Sequence, residues 1–126
     1  GLRLAPAIVH PGVRVSRRCR VGEGAFLGEG CILTVEVEVG PHATLNRSVN
    51  LSHDVRVGAL ATLSPGVLVS GNVEIGEGAF IGTGAAVREK LRIGAWAVVG
   101  GGAFVAKDVP ERTLVMGVPA VVKGRL

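Results

Sequence analysis

A histidine and an aspartate stand side by side near the middle of this chain, in the stretch NLSHDVRVG at residues 50–58. The imidazole of His53 can act as a general base, and a neighbouring carboxylate such as Asp54 can hold it in one tautomer. A solvent-facing turn would carry the same two residue types. The elements that position these side chains decide between the two interpretations.

The chain around this pair repeats every six residues. From Val9 to Val105, every sixth residue is Val, Leu or Ile, and the residue two places before each of them is small or aliphatic. No helix has this period, which indicates a short strand, in which two side chains two residues apart point to the same side, followed by a tight corner. Gly, Asn, Ser and Pro in the corners supply positive or fixed φ angles. Three hexads would close an 18-residue triangular coil, and successive coils would stack as parallel strands about 4.8 Å apart.

This period assigns the corner triplets to three columns. Corner A holds residues 34–36, 52–54, 70–72 and 88–90; corner B holds 46–48, 64–66, 82–84 and 100–102; corner C holds 40–42, 58–60, 76–78 and 94–96. Gly71 is therefore expected directly above His53, with a backbone N–H beside the imidazole. A base next to an oxyanion donor is what acyl transfer needs. The columns alone support equally well the alternative that residues 52–54 form a polar corner with no catalytic role.

Corner B is rich in glycine, at positions 82, 84, 100, 101 and 102. Such a strip could let a long ligand lie against backbone groups, although corners also favour glycine for conformational reasons alone. Corners A and B are different vertices of one prism, so a ligand on corner B reaches His53 only if another subunit presents it. If both corners are functional, the site lies between subunits, and a closed ring of three is the simplest assembly.

Composition narrows the class of protein. The chain is 48% hydrophobic with only 3% aromatic residues, which indicates one narrow aliphatic core. The net charge is +4, but no aromatic residues are interleaved with the basic ones, which argues against binding of nucleic acid. A small polyanion remains a candidate ligand. No apolar run could span a bilayer and no signal peptide is visible, so we expect a cytoplasmic protein without membrane insertion. Cys19 and Cys31 fit no metal spacing and are expected to be reduced and buried.

The hexad [LIV]-G-x-x-[small]-x, over residues 7–110, resembles the hexapeptide-repeat proteins, most of which are acyltransferases. Residues 52–87 and 93–120 are similar to the sialic-acid and bacillosamine type of sugar O- and N-acetyltransferases. The resemblance implies an all-β, left-handed parallel β-helix of about six coils. It also implies a homotrimer, acetyl-CoA as co-substrate without a metal, and a sugar or nucleotide-sugar acceptor. We expect residues 1–6 to be a lead-in, residues 111–126 a C-terminal tail, and an acceptor-binding domain to precede them.

The resemblance also implies roles for residues on corner A. His53 matches the general base, Asp54 the acidic residue that increases its basicity, and Gly71 the backbone contact near the thioester. Thr62 stands where some members have a second histidine that contacts acetyl-CoA. A threonine hydroxyl can donate a hydrogen bond but does not titrate near neutral pH, so a two-histidine mechanism is in doubt.

Contacts with acetyl-CoA are implied elsewhere in the chain. Thr83 and Gly101, both on corner B, match contacts from the adjoining subunit, and the distal part of the coenzyme would pass the C-terminal motif Gly117, Val118, Pro119 and Ala120. Three nearby basic residues are candidates for binding the coenzyme's phosphates: Lys107, Arg112 and Lys123. For each of them, a solvated surface charge with no ligand is the better-supported alternative.

Three functions remain open on the sequence. The leading hypothesis is acetyl transfer to an amine or hydroxyl of a sugar, with a non-sugar acceptor as a variant. The second is a β-helix that binds or scaffolds without turnover. The third, a metal-dependent hydratase, needs three histidines converging between subunits, whereas His10, His42 and His53 occupy different corners and levels.

Overall fold

The computed structural model describes residues 5–16 and 18–126, and every regular element in this part of the chain is a β-strand. Strands pair in parallel with partners 18 residues away; Thr62, for example, lies between Thr44 and Phe80. The expected all-β solenoid of about six coils is confirmed.

Three sheets form the faces of a triangular prism. Sheet A contains β1 (Ile8–Val9), β4 (Phe26–Leu27), β7 (Thr44–Leu45), β10 (Thr62–Leu63), β13 (Phe80–Ile81), β16 (Val98–Val99), β18 (Thr113–Gly117) and β19 (Ala120–Arg125). Sheet B contains β2 (Arg14–Val15), β5 (Ile32–Leu33), β8 (Asn50–Leu51), β11 (Leu68–Val69), β14 (Ala86–Val87) and β17 (Phe104–Val105). Sheet C contains β3 (Arg20–Val21), β6 (Glu38–Val39), β9 (Arg56–Val57), β12 (Glu74–Ile75) and β15 (Arg92–Ile93). Corner A joins sheet B to sheet C, corner C joins C to A, and corner B joins A to B.

The hydrophobic core consists of the two inward-facing positions of each hexad. Leu27, Leu45 and Leu63 of sheet A are completely buried, and each such side chain contributes about 1.5–3 kcal/mol of burial energy. In the first coil the inward-facing residues are not buried: Val9 and Val15 are 41% and 42% exposed at the end of the prism.

The two cysteines are both free, as expected, but they differ in burial. The Cys31 thiol lies in the core and donates a hydrogen bond to the carbonyl of Asn46 at 2.9 Å, and burial raises the pKa of that thiol. Cys19 is only partly buried, so the expectation that both cysteines fill the core is wrong for Cys19.

The third residue of most corners has a left-handed backbone conformation. Within residues 5–16 and 18–126, nine non-glycine residues adopt it, among them Asp54 (φ 57°), Lys90 (φ 61°) and Trp96 (φ 58°). The prediction that Gly, Asn, Ser and Pro supply the φ angles of the corners is therefore incomplete, because other residue types also adopt positive φ. The N–H of such a residue donates to a carbonyl of the preceding coil, as Asp54 does to Val35 at 3.0 Å, and this stacking offsets a conformational cost of about 1–2 kcal/mol per residue.

The C-terminal residues close the prism with a hairpin. β18 continues sheet A in parallel, with Leu114 opposite Val98, so the last coil is sixteen residues long instead of eighteen. β19 then returns antiparallel along β18. Val109 and Val115 lie buried beneath this end of the molecule.

The outward faces of the three sheets differ in chemistry. Sheet C presents a column of alternating charges: Arg20, Glu38, Arg56, Glu74 and Arg92. Sheets A and B instead expose large apolar side chains, including Phe26 and Phe80 on sheet A and Leu68 and Phe104 on sheet B. Only sheet C has the character of a fully solvated face.

Candidate active site

His53 and Asp54 lie at corner A, immediately after β8. His53 Nδ1 is 3.0 Å from Asp54 Oδ2, and the two side chains are 54% and 52% exposed. A carboxylate can only accept a hydrogen bond, so Nδ1–H is the donor and Nε2 keeps its lone pair. The pair thus presents an oriented imidazole with access to solvent.

Gly71 lies in the next coil against the other side of the imidazole. A Cβ at this position would collide with His53 Nε2, so any side chain here would displace the ring. Gly71 has no positive φ, so space and not backbone conformation requires the glycine. Its N–H donates to no acceptor among the described residues, while the adjacent Asn72 N–H binds the carbonyl of His53 at 3.0 Å. An amide with no acceptor among the described residues therefore lies in the coil that covers the imidazole.

Acidic side chains surround corner A on the side of sheet C. A depression of about 280 Å³ is lined by Glu36, Glu38, Asp54, Arg56, Asn72 and Glu74. In the coil below His53, Glu36 forms an exposed ion pair with Arg18 at 3.0 Å. Arg18 is not among the predicted site residues, although it belongs to an arginine-rich run before Glu23.

Thr83 and Gly101 meet on corner B, as the columns predict. The N–H of Gly102 donates to the carbonyl of Thr83 at 2.8 Å, which joins the two coils. No atom lies within 4 Å of a Cβ built on Gly84 or Gly102, so this strip is open. Sheet B separates corner B from His53, and within one chain the two sets of residues do not come together.

The other implied coenzyme contacts lie on sheet A or at its end. Thr62 is half-buried on the outward face of β10, away from His53. Residues 117–120 form the turn between β18 and β19, and Pro119, Ala120 and Lys107 line a cavity of about 270 Å³. Arg112 and Lys123 are exposed.

The remaining histidines do not converge with His53. His10 Nδ1 accepts a hydrogen bond from the N–H of Gly12 at 3.0 Å, and His42 packs against Gly24 on corner C. Within residues 5–16 and 18–126, no group of three or more His, Cys, Asp or Glu side chains could hold a metal ion. The same residues contain no helix of the length and hydropathy needed to cross a bilayer.

Neither a protein-family model nor a curated protein sequence matches this chain, but solved structures do. It is 36% identical to perosamine N-acetyltransferase from Caulobacter crescentus, crystallised as a histidine-to-asparagine variant with CoA and GDP-perosamine. The TM-score is 0.95, and the match covers 96% of this chain and 58% of that one. Over nearly its whole length, the β-helix of this chain is thus similar to that of a sugar N-acetyltransferase.

Two further solved structures are similar to this chain. WeeI from Acinetobacter baumannii is 32% identical with a TM-score of 0.81, over 92% of this chain and 54% of that one. The acetyltransferase domain of PglB from Neisseria gonorrhoeae, in complex with acetyl coenzyme A, is 31% identical with a TM-score of 0.69, over 94% and 58%. The present chain thus spans slightly more than half the length of these proteins.

Proposed function

We propose that this chain is the catalytic β-helix of an enzyme that transfers an acetyl group from acetyl-CoA to an amine of a nucleotide sugar. The observation that carries the proposal is the arrangement of three residues at corner A, where Asp54 orients His53 and the bare Gly71 covers His53 Nε2. The similarity to a structure that holds both CoA and GDP-perosamine supports the donor and the class of acceptor.

The residues of corner A divide the chemistry between them. His53 Nε2 takes a proton from the amine as its nitrogen attacks the thioester carbonyl carbon. The Gly71 N–H stabilises the negative charge that develops on the carbonyl oxygen. Once the new C–N bond has formed and the C–S bond breaks, His53 returns the proton to the leaving sulfur of CoA. Asp54 keeps the imidazole in the required tautomer and stabilises its charged form.

The donor occupies the groove between two subunits of a homotrimer. Corners A and B lie at opposite edges of sheet B, so Thr83 and Gly101 approach His53 only from a neighbouring prism. The exposed apolar faces of sheets A and B supply the surfaces on which the prisms pack, and sheet C stays in solvent. Thr62 and residues 117–120 contact the coenzyme along this groove.

Replacement of His53 by alanine tests the catalytic assignment. We expect His53→Ala to lower kcat by roughly 10²- to 10⁴-fold, the range for removal of a general base, because the imidazole that packs against Gly71 is lost. Release of the CoA thiol with GDP-perosamine or other amino sugars as acceptors measures turnover. The variant should keep the trimer, which light scattering checks.

A β-helix that only binds or scaffolds gives different results. Calorimetry with CoA would then detect no binding at millimolar concentration in the wild-type protein. Near-normal turnover of the His53→Ala variant would overturn the role of His53 even if CoA binds. A metal-dependent hydratase would contain stoichiometric metal in the purified protein.

A further inference from the structure

Positive charge is concentrated at the N-terminal end of this chain. Residues 1–22 contain five arginines and no acidic residue, whereas residues 23–126 contain nine basic and ten acidic residues. The formal charge of +4 therefore arises entirely from the first coils. Such an asymmetry indicates a local preference for an anionic partner.

Three of these arginines flank the same corner of the prism. Arg14 faces outward in β2, Arg20 faces outward in β3, and Arg18 lies in the connection between these strands. This connection is the first level of corner A, because β2, β5 and β8 pair in register. It lies two coils before His53, a separation of about 10 Å along the prism. All three arginine side chains are exposed.

The nearby carboxylates lie on one side of this corner only. Glu36 pairs with Arg18, and Glu38 borders the same depression of about 310 Å³ as Arg20, both towards sheet C. On sheet B, the outward column from Arg14 continues through Ile32 to Asn50, beside corner A. Among the described residues this outward column carries no carboxylate, and Arg14 forms no ion pair. An anion that binds on the sheet B side therefore contacts arginine side chains without lying next to a carboxylate.

We propose that Arg14 and Arg18 form a binding site for the diphosphate of the acceptor, an inference that rests on the proposed function. Arginine donates paired hydrogen bonds to phosphate oxygens, and the Glu36 contact at the Arg18 Nε leaves the other guanidinium donors free. A hexose ring and the extended arginine side chains together span the separation of about 10 Å along the prism between an amine at His53 and a diphosphate at Arg14. The acceptor thus lies along corner A towards the N-terminal end, and acetyl-CoA extends towards the C-terminal end.

Titration with inorganic pyrophosphate tests this site directly. The measurement is made with saturating CoA at fixed ionic strength, so that the coenzyme's own phosphate contacts are occupied. We expect the double variant Arg14→Gln, Arg18→Gln to bind pyrophosphate at least about tenfold more weakly than wild type, because charge-assisted hydrogen bonds are lost. Its dissociation constant for CoA should change less than about twofold.

The chain offers a matched control on the same corner. Arg88 and Lys90 lie two coils beyond His53 on corner A, so Arg88→Gln with Lys90→Gln removes the same charge at a similar distance. We expect this control to keep its pyrophosphate affinity. Equal weakening in both double variants, or no pyrophosphate binding in wild type, would overturn the inference. Failure of wild type to bind CoA would instead overturn the proposed acetyl transfer, and a titration without CoA would still test the arginines.

Discussion

His53 and Gly71 occupy adjoining space at corner A, so the size of residue 71 controls the position of the imidazole. The α-carbon of Gly71 faces Nε2, the nitrogen that takes the proton in the proposed mechanism. The collision that any larger residue would cause involves a flexible side chain and not the backbone. The fold can therefore tolerate a larger residue 71 that the chemistry cannot.

Gly71→Ala separates these two effects. The new methyl group should rotate the imidazole away from Asp54 and the acceptor, so we expect kcat/KM to fall by about 10²-fold, the lower range for losing a general base. Thermal unfolding should occur close to the wild-type temperature, because Gly71 lies outside the left-handed region of φ.

The control for this variant is a glycine on another corner. Gly84→Ala has open space but a φ of 69°, so it should lower stability by about 1 kcal/mol through backbone strain. It should leave the imidazole undisturbed. A Gly71→Ala enzyme with wild-type kcat/KM would contradict the proposed placement of the base.

At the scale of the element, each two-residue strand owes its stability to one inward side chain. Leu63 of β10 is completely buried between the coils above and below. Leu63→Ala should therefore destabilise the protein by about 2–5 kcal/mol, the cost of an unfilled core cavity. Chemical denaturation of the two proteins measures the difference.

The same substitution on a corner provides the comparison. Leu60 is half-exposed on corner C, so Leu60→Ala removes the same atoms with little loss of burial. We expect its cost to stay below about 1 kcal/mol. Similar losses for both variants would mean that the coils do not stack as described.

The period of six residues was sufficient to predict these elements, because every hexad repeats the same inward pattern. It also placed Gly71 over His53, since parallel strands in register convert sequence spacing into columns. The period could not predict the sixteen-residue last coil, where the repeat ends and pairing in β18 and β19 takes over. Nor could it predict left-handed φ at Lys90 and Trp96, which depends on hydrogen bonds between coils and not on residue type.

At the scale of the whole molecule, the unequal faces of the prism determine the proposed assembly. Phe104 is 38% exposed and Leu68 is 53% exposed on sheet B, although both are large apolar side chains. Corners A and B border this sheet. Loss of subunit packing on sheet B would therefore also separate His53 from corner B of the neighbouring subunit, where the proposed acetyl-CoA contacts lie.

A charge on sheet B should therefore dissociate the trimer. We expect Phe104→Glu to give monomers with at least about 100-fold lower turnover, because burying an unpaired carboxylate is strongly unfavourable. Light scattering coupled to size exclusion measures the mass. Arg56→Glu introduces the same side chain on sheet C and should remain trimeric; a trimeric Phe104→Glu protein would exclude sheet B from the interface.

The reversal of β19 also determines how large an assembly this molecule can build. A solenoid whose last coil ended in a bare parallel edge would offer the next prism a template, and prisms could join end to end into fibrils. Here sheet A ends in an antiparallel strand that carries Lys123 and Arg125, and like charges repel a second copy of that edge. The hairpin thus limits growth at this end of the prism and favours a discrete particle over an open-ended polymer.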